Sequence, residues 1–533
     1  MVLAMSAPRQ FEIQLGHLCN DRCVFCVSGR LTHEGDAPLL ETSTLVERIR
    51  RARAEGYGRL TLLGGEPTIQ PAFLEVVREA VALGFEEIVV FSNGSKAGRT
   101  DLVDRVLATG GRFEWRLSFQ GATREAHERT TRRKSSFDQL QRTARALCLR
   151  GQKITVNTCV VETNYASLPS FAALLLPFGV RQLHVDMLNP YDTGTMTDDE
   201  VRAIQPRYSD LATPLTRMVG GFPDGYDVNI GNLPYCVAPH LAPWIHHGGQ
   251  PTWTVTADDF GDRSLQRECN KYLVKGSRKI KPSSCRSCVL DDRCDGVFEA
   301  YARWYGTSEL EPVTPERLRS VDPEGELVSL HARPLLRAAL APPPEPFATC
   351  SVDEHDLRRV TLRLEGAAGL RLELGLSSGR GGVAATSRFR CEVLSAEGDR
   401  ALLLDGITRL FVALEAAGAT VVHPPGPDAF ERPRPLVAAQ LARLRAAAPF
   451  GALSWRATRV LDAGARAEIE LASPTAEGAV FWVAERDGRL SGGYRLESAS
   501  EKDPSPALVG GLREAIAMVS GGRLARAQPP AAR

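Results

Sequence analysis

Three cysteines lie close together near the start of the chain, in the segment HLCNDRCVFC. Cys19, Cys23 and Cys26 form a C-x3-C-x2-C array that directly follows a strand-like alternation at residues 11–15. Thiolates are soft ligands, and three of them in one short loop suit a soft metal or an iron–sulfur cluster. A cubane of four irons normally takes four thiolates, so three would leave one iron open to a further ligand. The alternative is a zinc site with a remote fourth ligand, for which His17 is the local candidate.

A second group of cysteines lies in a region between residues 220 and 320 that is rich in glycine, proline and aromatic residues. Helical periodicity is weak there until VFEAYARWYG, so hydrophobic patterning alone does not explain an ordered domain. A bound metal centre supplies folding free energy to small domains of this kind. The group comprises Cys236, Cys269, Cys285, Cys288 and Cys294.

The remaining cysteines are scattered singly and are interpreted as small buried hydrophobic side chains. They are Cys148, Cys159, Cys350 and Cys391. Lysines are concentrated beside the second group, at Lys271, Lys275, Lys279 and Lys281. These lysines form either a solvated face or a positive charge that offsets an anionic thiolate cluster, and both interpretations stay open.

The residues around the first cysteine group alternate short apolar strands with amphipathic helices. Thr44 followed by Glu47 predicts a capping box for a helix that runs to about Ala54. Six strand–helix repeats predict an α/β fold, a partial (β/α)6 TIM-like barrel with its chemistry in the loops at the carboxyl ends of the strands. Strands are predicted at 11–15, 59–65, 86–94, 113–119, 153–161 and 181–188, and further helices at 71–84, 98–109, 137–150 and 165–176.

The 533 residues are too many for one compact core, and four segments are expected. These are the barrel at 8–220, a cysteine-rich domain at 221–320, a proline-containing linker at 321–347 and a C-terminal α+β domain at 348–533. In the last, strand patterns lead to a helix at about 400–417, and further strands lead to a helix at 506–519. This recurring order favours two similar halves, although the residues themselves do not repeat.

Charge and hydropathy argue against two classes of partner. Lys+Arg 65 against Asp+Glu 64 gives a net charge of +1, so nothing draws the whole molecule to nucleic acid or to an anionic membrane. No signal-peptide pattern is visible, and no stretch approaches the ~20 apolar residues of a membrane span. Clustered cysteines in such a chain are typical of metal ligation in a reducing compartment, so a cytoplasmic location is expected.

The first cysteine group resembles the motif of the radical S-adenosylmethionine (radical SAM) superfamily, in which an aromatic residue precedes the last cysteine. The family's GGEP motif follows the second strand here, and FSNG at 91–94 matches its third-strand motif. HERTTRRKSSF at 127–137 and VNTCVVETN at 156–164 resemble later family segments. The resemblance covers about residues 10–190. It implies a cofactor-binding set made of Phe25, Gly64, Gly65, Glu66, Pro67, Ser92, Asn93, Ser118 and Asn157.

The same resemblance implies a [4Fe–4S] cluster on the first three cysteines, whose open iron is chelated by the methionine amine and carboxylate of S-adenosylmethionine. Reductive cleavage of this cofactor gives a 5′-deoxyadenosyl radical that abstracts a substrate hydrogen atom. Gly64 and Gly65 would let the backbone approach the amine closely, and Glu66 would add a compensating negative charge. The alternative for Asn93 and Ser118 is a plain helix-capping role.

The second cysteine group resembles the auxiliary-cluster domains called SPASM and twitch. The SPASM pattern has a further cysteine where Phe298 stands here, so one auxiliary [4Fe–4S] cluster is expected instead of two. Cys285, Cys288 and Cys294 would be three ligands, and either Cys236 or Cys269 the fourth. A structural zinc site with four thiolates is the alternative.

Domains of this kind are frequent in radical enzymes that modify peptides. The expected substrate is therefore a peptide or protein side chain, in ribosomal peptide modification or enzyme maturation, with a reductant such as flavodoxin or ferredoxin. A small molecule such as a nucleotide or a sugar is the alternative substrate. A non-catalytic iron–sulfur electron-transfer protein is a further alternative, but such a carrier needs no GGEP motif. No catalytic residue on the substrate side and no role for the C-terminal domain follow from the sequence.

Overall fold

The computed structural model divides the chain into two compact units. The first contains Met1–Phe222 and Tyr226–Pro315, and the second contains Pro223–Gly225 and Glu316–Arg533. The residues described are 8–98, 101–194, 196–248, 252–257, 265–266, 268–379, 381, 384–422, 425–451, 453–473, 478–496 and 505–520.

The first unit is built on an open parallel sheet. Its strands are β1 (Gln10–Gln14), β2 (Arg59–Leu63), β3 (Glu87–Ser92), β4 (Phe113–Ser118), β5 (Lys153–Val160), β6 (Gln182–Met187), β7 (Asp227–Gly231), β8 (Ile245–His246), β9 (Thr252–Val255), β10 (Cys269–Asn270), β11 (Lys279–Ile280) and β12 (Val297–Phe298). Ten of them form one sheet in the order β10-β9-β1-β2-β3-β4-β5-β6-β7-β8, and β11 pairs with β12 separately. Only β10 runs antiparallel in the large sheet, which confirms the predicted partial α/β barrel.

Helices connect these strands in the predicted alternation. They are α1 (Val27–Glu34), α2 (Thr42–Ala54), α3 (Phe73–Ala82), α4 (Leu102–Leu107), α5 (Arg124–Thr131), α6 (Ser136–Leu149), α7 (Phe171–Leu175), α8 (Asp198–Ile204), α9 (Tyr208–Gly220), α10 (Lys271–Gly276) and α11 (Glu299–Tyr305). The predicted capping box at Thr44 is wrong, because α2 begins at Thr42 and its N-cap, Glu41, makes no side-chain cap. A capping box needs a hydroxyl residue just outside the helix, and Thr197 with Glu200 meets this condition at α8.

The two faces of the sheet differ in polarity. Buried apolar side chains such as Phe11 and Ile13 alternate along β1 with polar ones. On the polar side, Glu114 lies among three cations: Arg116 and Arg59 donate to it at 2.8 and 2.7 Å, and the ammonium of Lys153 lies 2.6 Å away. Burial favours the neutral form of Glu114, but these cations outweigh it and hold its pKa at about 2. This polar face of the sheet therefore carries a buried ion-pair network instead of apolar packing.

The second unit contains two antiparallel sheets and five helices among its described residues. One sheet has β13 (Phe347–Asp353), β14 (Val360–Gly366), β15 (Arg371–Ser378), β16 (Arg388–Glu397) and β17 (Thr420–Val422), with only β16 and β17 parallel. The other has β18 (Ser454–Leu461), β19 (Arg466–Ala472), β20 (Gly478–Arg486) and β21 (Arg489–Leu496). The helices are α12 (Pro315–Val321), α13 (Val328–Ala339), α14 (Arg400–Ala416), α15 (Pro435–Ala447) and α16 (Pro506–Ser520).

The stretch assigned from sequence to a linker contains α13. Val328 and Leu336 of this helix are buried in the core of the five-stranded sheet, together with Leu374 and Leu410. Proline residues near 342–346 suggested a linker, but the preceding residues have the apolar spacing of a helix that packs on a sheet. None of the described helices is both long and apolar enough to cross a membrane.

Candidate functional site

The three cysteines of the first group lie in the loop between β1 and α1, at the carboxyl end of β1. Cys26 is the N-cap of α1, and its backbone N–H donates to the carbonyl of Cys23 at 3.0 Å. Burial raises the pKa of Cys19, and the neighbouring Cys26 raises it further. Burial also raises the pKa of Cys23, with contributions from Asp21, Cys26 and Cys19. The three thiols therefore lie within electrostatic range of one another in a partly buried site.

The donor set of this loop fits an iron–sulfur cluster. It consists of thiols, which are the ligands that such clusters use. His17, the candidate fourth ligand of a zinc site, is buried and hydrogen bonded through Nδ1 to the hydroxyl of Ser28 at 2.9 Å. Across the described ranges, no three His, Cys, Asp or Glu side chains form a site suited to a single metal ion.

The cysteine loop is held by the family-like segment at 127–137. The backbone N–H of Arg22 donates to the carbonyl of Thr131 at 3.0 Å, at the end of α5. Asp21 is buried and pairs with the guanidinium of Arg133. The side chains of this segment therefore position the loop and lie beside it, which the sequence resemblance alone did not explain.

The two glycines of GGEP allow the end of β2 to pack on the cysteine loop. Gly64 and Gly65 have φ values of +89° and +52°, which favour glycine. A Cβ on Gly64 would lie 2.6 Å from the Cβ of Gln14, and one on Gly65 would lie 2.3 Å from the carbonyl oxygen of Leu18. Close packing on the last residue of β1 and on the cysteine loop therefore already requires glycine at both positions, whatever ligand the backbone approaches.

Glu66 joins the end of β2 to the end of β3. Its buried carboxylate accepts from the hydroxyl of Ser92 at 2.8 Å, from the backbone N–H of Asn93 at 2.6 Å and from that of Thr68 at 3.1 Å. Burial raises its pKa, although these hydrogen bonds favour the charged form. Pro67 begins the following 3-10 turn. Glu66 therefore fixes the relative position of two predicted motifs.

Asn93 connects the third-strand motif to the cysteine loop. Its Nδ2 donates to Oδ1 of Asn20 at 2.9 Å and lies 4.0 Å from the sulfur of Cys19. Its Oδ1 accepts from the backbone N–H of Ser95 at 3.0 Å, within a turn that does not begin a helix. The helix-capping alternative is therefore wrong for Asn93.

The remaining predicted residues divide into two places. Ser118 ends β4 directly opposite Asn157 on β5, and the amide of Asn157 donates to Asp186 on β6 at 3.2 Å. These three polar residues lie at neighbouring strand ends. Phe25 is partly buried and packs on a small apolar cluster of Val24, Val161, Leu188 and Val201.

The interpretation as a plain solvated face is wrong for three of the four lysines near the second cysteine group, which are partly buried near carboxylates, whereas Lys281 is exposed. Lys271 donates to Glu12 of β1 at 2.7 Å. The pKa of Lys275 is raised: burial lowers it, but Asp186 and Asp192 outweigh burial. The other two lysines lie near carboxylates beside the second cysteine group, at distances of 3.6 Å for Lys279–Asp295 and 3.1 Å for Lys281–Asp291.

Three thiols of the second cysteine group, those of Cys285, Cys288 and Cys294, converge on one place. The backbone N–H of Cys288 donates to the carbonyl of Cys285 at 2.9 Å, and both thiols lie in the electrostatic surroundings of Cys294. Burial raises the pKa of Cys294, whereas the backbone N–H of Gly296, at 3.3 Å from its sulfur, and the backbone of Tyr235, the neighbour of Cys236, lower it. Cys269 lies on β10 and is influenced by Asp192 instead. Phe298, at the position of the missing cysteine, is fully buried.

One residue of this second site was not predicted from the sequence. His247 places its Nε2 3.8 Å from the sulfur of Cys294, and its side chain is only 2% exposed. Its Nδ1 makes no hydrogen bond within the described residues and lies 3.9 Å from Oδ2 of Asp295. Burial, and then Lys279, lowers the pKa of His247 to about 3, so the imidazole is neutral. The sequence feature that could have indicated His247 is the histidine pair His246–His247 inside a cysteine-rich region.

The isolated cysteines differ in their surroundings. Cys391 is buried in the core of the second unit, as predicted. Cys148 is exposed, so the prediction is wrong there: it follows Leu147, the last buried residue of α6, and lies on the solvent side of that helix. Cys159 and Cys350 are partly buried.

A parallel open barrel with a three-thiol loop after its first strand defines a class of cluster-binding domain. Residues 13–175 match the family model described as the Radical SAM superfamily. This part of the chain is a radical SAM domain, as its motifs predicted, and the family implies a [4Fe–4S] cluster and S-adenosylmethionine as cofactors.

Curated relatives match the same part of the chain. The chain is 29% identical over 184 residues to PqqA peptide cyclase of Ruegeria pomeroyi, covering 34% of this chain and 48% of that protein. It is 26% identical over 237 residues to a probable GTP 3′,8-cyclase of Saccharolobus solfataricus, covering 44% of this chain and 75% of that protein. The chain therefore spans about half the length of the first of these relatives.

Solved structures give weaker similarity. SuiB of Streptococcus suis bound to S-adenosylmethionine has a TM-score of 0.40 at 14% identity, covering 58% of this chain and 76% of that chain. The structure of anSMEcpe with bound AdoMet has a TM-score of 0.40 at 16% identity, covering 60% and 96%. At these values neither similarity adds to the assignment.

Proposed function

We propose that this protein is a radical SAM enzyme that abstracts a hydrogen atom from a peptide or protein side chain. The observation that carries the proposal is the meeting of Cys19, Cys23 and Cys26 with the ends of β2 and β3. Asn93 contacts the cysteine loop, and Glu66 ties both strand ends together. An electron carrier needs no such arrangement around its cluster.

The residues of the loop would each have a defined task. The three thiolates would hold a [4Fe–4S] cluster, and Asp21 with Arg133 would keep the loop in place. The cluster and S-adenosylmethionine together supply a 5′-deoxyadenosyl radical. Glu66 and Asn93 would fix the strand ends on which the cofactor rests.

The substrate would be oriented beside the cofactor, where Asn157 of the cofactor-binding set meets Asp186 near the carboxyl end of β6. Asn157 donates to Asp186, and the ammonium of Lys275 is influenced by Asp186 and Asp192. Such a set of amide, carboxylate and ammonium groups hydrogen bonds well to the main-chain amides of a peptide. Precise positioning is the contribution that a protein makes to radical chemistry.

The second cysteine group would hold one auxiliary cluster. Cys236 is favoured over Cys269 as the fourth ligand, because the backbone of the adjacent Tyr235 lies close enough to Cys294 to lower its pKa, whereas Cys269 is influenced by Asp192. Four thiolates fill every iron of a cubane, so this cluster would relay electrons or brace the substrate cavity without binding substrate. Cys285 and Cys288 would complete the set.

A peptide substrate is supported by the relative whose name is PqqA peptide cyclase. A nucleotide is the second candidate, because the chain covers 75% of the probable GTP 3′,8-cyclase and only 48% of the peptide cyclase. Free thiols at all twelve cysteines suit a cytoplasmic location with a flavodoxin or ferredoxin as reductant.

The decisive experiment measures 5′-deoxyadenosine after anaerobic reconstitution with iron and sulfide, in the presence of S-adenosylmethionine and dithionite. We expect 5′-deoxyadenosine from the wild-type protein and none after replacement of Cys19, Cys23 and Cys26 by Ala. The triple variant should keep the absorbance of the second cluster. Cleavage that survives in the triple variant contradicts the proposal.

A further inference from the structure

A cavity of about 790 Å³ lies within the second unit, lined by residues of both of its sheets. The lining includes the unbroken run Arg390–Glu397 of β16 and the run Thr458–Val460 of β18. Successive side chains of a strand point to opposite faces of the sheet, so consecutive residues meet one cavity only along the edge of a strand. The cavity is therefore a groove between two strand edges.

Both edges lack a partner strand in the described part of the chain. β16 pairs along its length with β15, but its other side pairs with β17 only over Arg388–Arg390. β18 is the outermost strand of its sheet and pairs only with β19. Free edges present rows of unpaired N–H and C=O groups that accept another strand. The part of β16 at 393–397 and the facing part of β18 thus offer two such rows to one groove.

A partly buried carboxylate with one buried oxygen also lines this groove. Glu431 is part of the lining, and its Oε2 is buried without a hydrogen-bond partner among the described residues. A buried carboxylate oxygen without a donor costs free energy, which a ligand's N–H or cationic group would recover. Arg445 and Trp455 stack on each other elsewhere in the lining, with 5.3 Å from the guanidinium carbon to the ring centre, and Arg445 pairs with Glu392.

We propose that the groove binds an extended peptide as an added β-strand, with a lysine or arginine of that peptide on Glu431. The segment 393–397 of β16 is five residues long, about 17 Å at the rise of a strand. Only a polypeptide in extended form supplies alternating N–H and C=O groups at this spacing. The proposal rests on the proposed function, because the bound peptide would be a recognition segment of the substrate.

The test selects a phage-displayed library of random peptides against the full-length reconstituted protein. Selected peptides should be enriched in lysine or arginine, and fluorescence anisotropy of synthetic copies should give their affinities. The N–H groups of adjacent strand residues point to opposite edges, so of Ser395→Pro and Ala396→Pro one removes an N–H from the free edge of β16, and Glu431→Gln removes the charge. That proline variant and Glu431→Gln should each weaken binding about tenfold or more. The matched control is Ser351→Pro on β13, the outer edge of the same sheet, which should leave binding unchanged.

Hydrogen exchange adds a readout that a merely structural role would not produce. A selected peptide should slow exchange of the amides at 393–397, and it should leave those of β13 unaltered. If the proline variants do not fold, Glu431→Gln and Glu431→Lys still decide, since charge reversal should abolish binding of basic peptides. Equal affinity for wild type and all groove variants, or the absence of any selected peptide, overturns the proposal.

The outcome is separable from that of the proposed function. Peptide binding in the groove together with no cleavage of S-adenosylmethionine would refute the radical function and keep the groove. Cleavage together with no peptide binding would refute the groove alone.

Discussion

The imidazole of His247 faces the sulfur of Cys294, with 3.8 Å between Nε2 and Sγ. The ring is neutral and almost fully buried, and it packs against Tyr235 at 4.7 Å between ring centres. A neutral imidazole protonated on Nε2 donates to a cluster thiolate without adding a full charge. Hydrogen bonds to cluster sulfurs are one of the means by which a protein sets a cluster's reduction potential.

His247→Phe should therefore lower the reduction potential of the auxiliary cluster. The oxidised cluster carries less negative charge, so loss of a donor favours it. A hydrogen bond worth about 1 kcal/mol corresponds to about 40 mV in a one-electron couple. A redox titration followed by electron paramagnetic resonance measures the shift.

His246→Gln is the matched control, because His246 is the adjacent residue and is exposed. The reduction potential of the auxiliary cluster in His246→Gln should equal that in the wild type. An unchanged potential in His247→Phe would show that the imidazole does not interact with the cluster.

Single alanine variants of the second cysteine group should separate one dispensable residue from four ligands. Cys269→Ala should keep about eight irons per chain, the content of two cubanes, because Cys269 lies on β10 away from the other thiols. Cys236→Ala should lose iron from the second site. Iron and zinc analysis after reconstitution measures both variants. About four irons with one zinc in the wild-type protein would identify a structural zinc site, and about twelve irons would mean two auxiliary clusters.

Glu66→Gln should weaken binding of S-adenosylmethionine and also lower stability. The carboxylate accepts from Ser92, Asn93 and Thr68, and an amide nitrogen would face some of these donors. The expected cost is about 1–3 kcal/mol in the free energy of unfolding. Calorimetric titration and urea denaturation measure the two effects, with exposed Glu162→Gln as the control. The first cluster should remain in place in Glu66→Gln. An affinity for S-adenosylmethionine equal to that of the wild type would contradict a role of Glu66 near the cofactor.

Glu114→Gln should remove a stabilisation that depends on pH. The pKa of Glu114 is lowered to about 2 in the folded protein, so its contribution is complete above the unfolded value near 4.5 and is lost as the pH falls toward 2. We expect a loss of about 2–3 kcal/mol at pH 7 that shrinks at about pH 3. Urea denaturation of the metal-free protein at both pH values tests this. If the free energies of unfolding of wild type and Glu114→Gln differ by the same amount at both pH values, the ion-pair explanation is wrong.

The strands of the barrel and the residues at their ends were predictable from the sequence, because alternation and motif order survive in local sequence. Glu66 was predicted from its motif. Its contacts with Ser92 and Asn93 were not, because they depend on how β2 and β3 are aligned, and these strands are separated by a helix in the sequence. The position of His247 required tertiary placement, since it lies in no spacing pattern. The helix α13 was not predicted, because the prolines that follow it in the sequence indicated a linker.

The cysteine loop is fastened by the polypeptide itself, through Arg22 to Thr131, Asp21 to Arg133 and the close seat of Gly65 on Leu18. Loading iron onto such a loop does not require the chain to be organised at the same time, in contrast to a domain that folds only with its metal. Oxygen that destroys the cluster would then leave a reusable scaffold. The cluster would then be rebuilt from iron and sulfide on the existing polypeptide, without new synthesis of the chain.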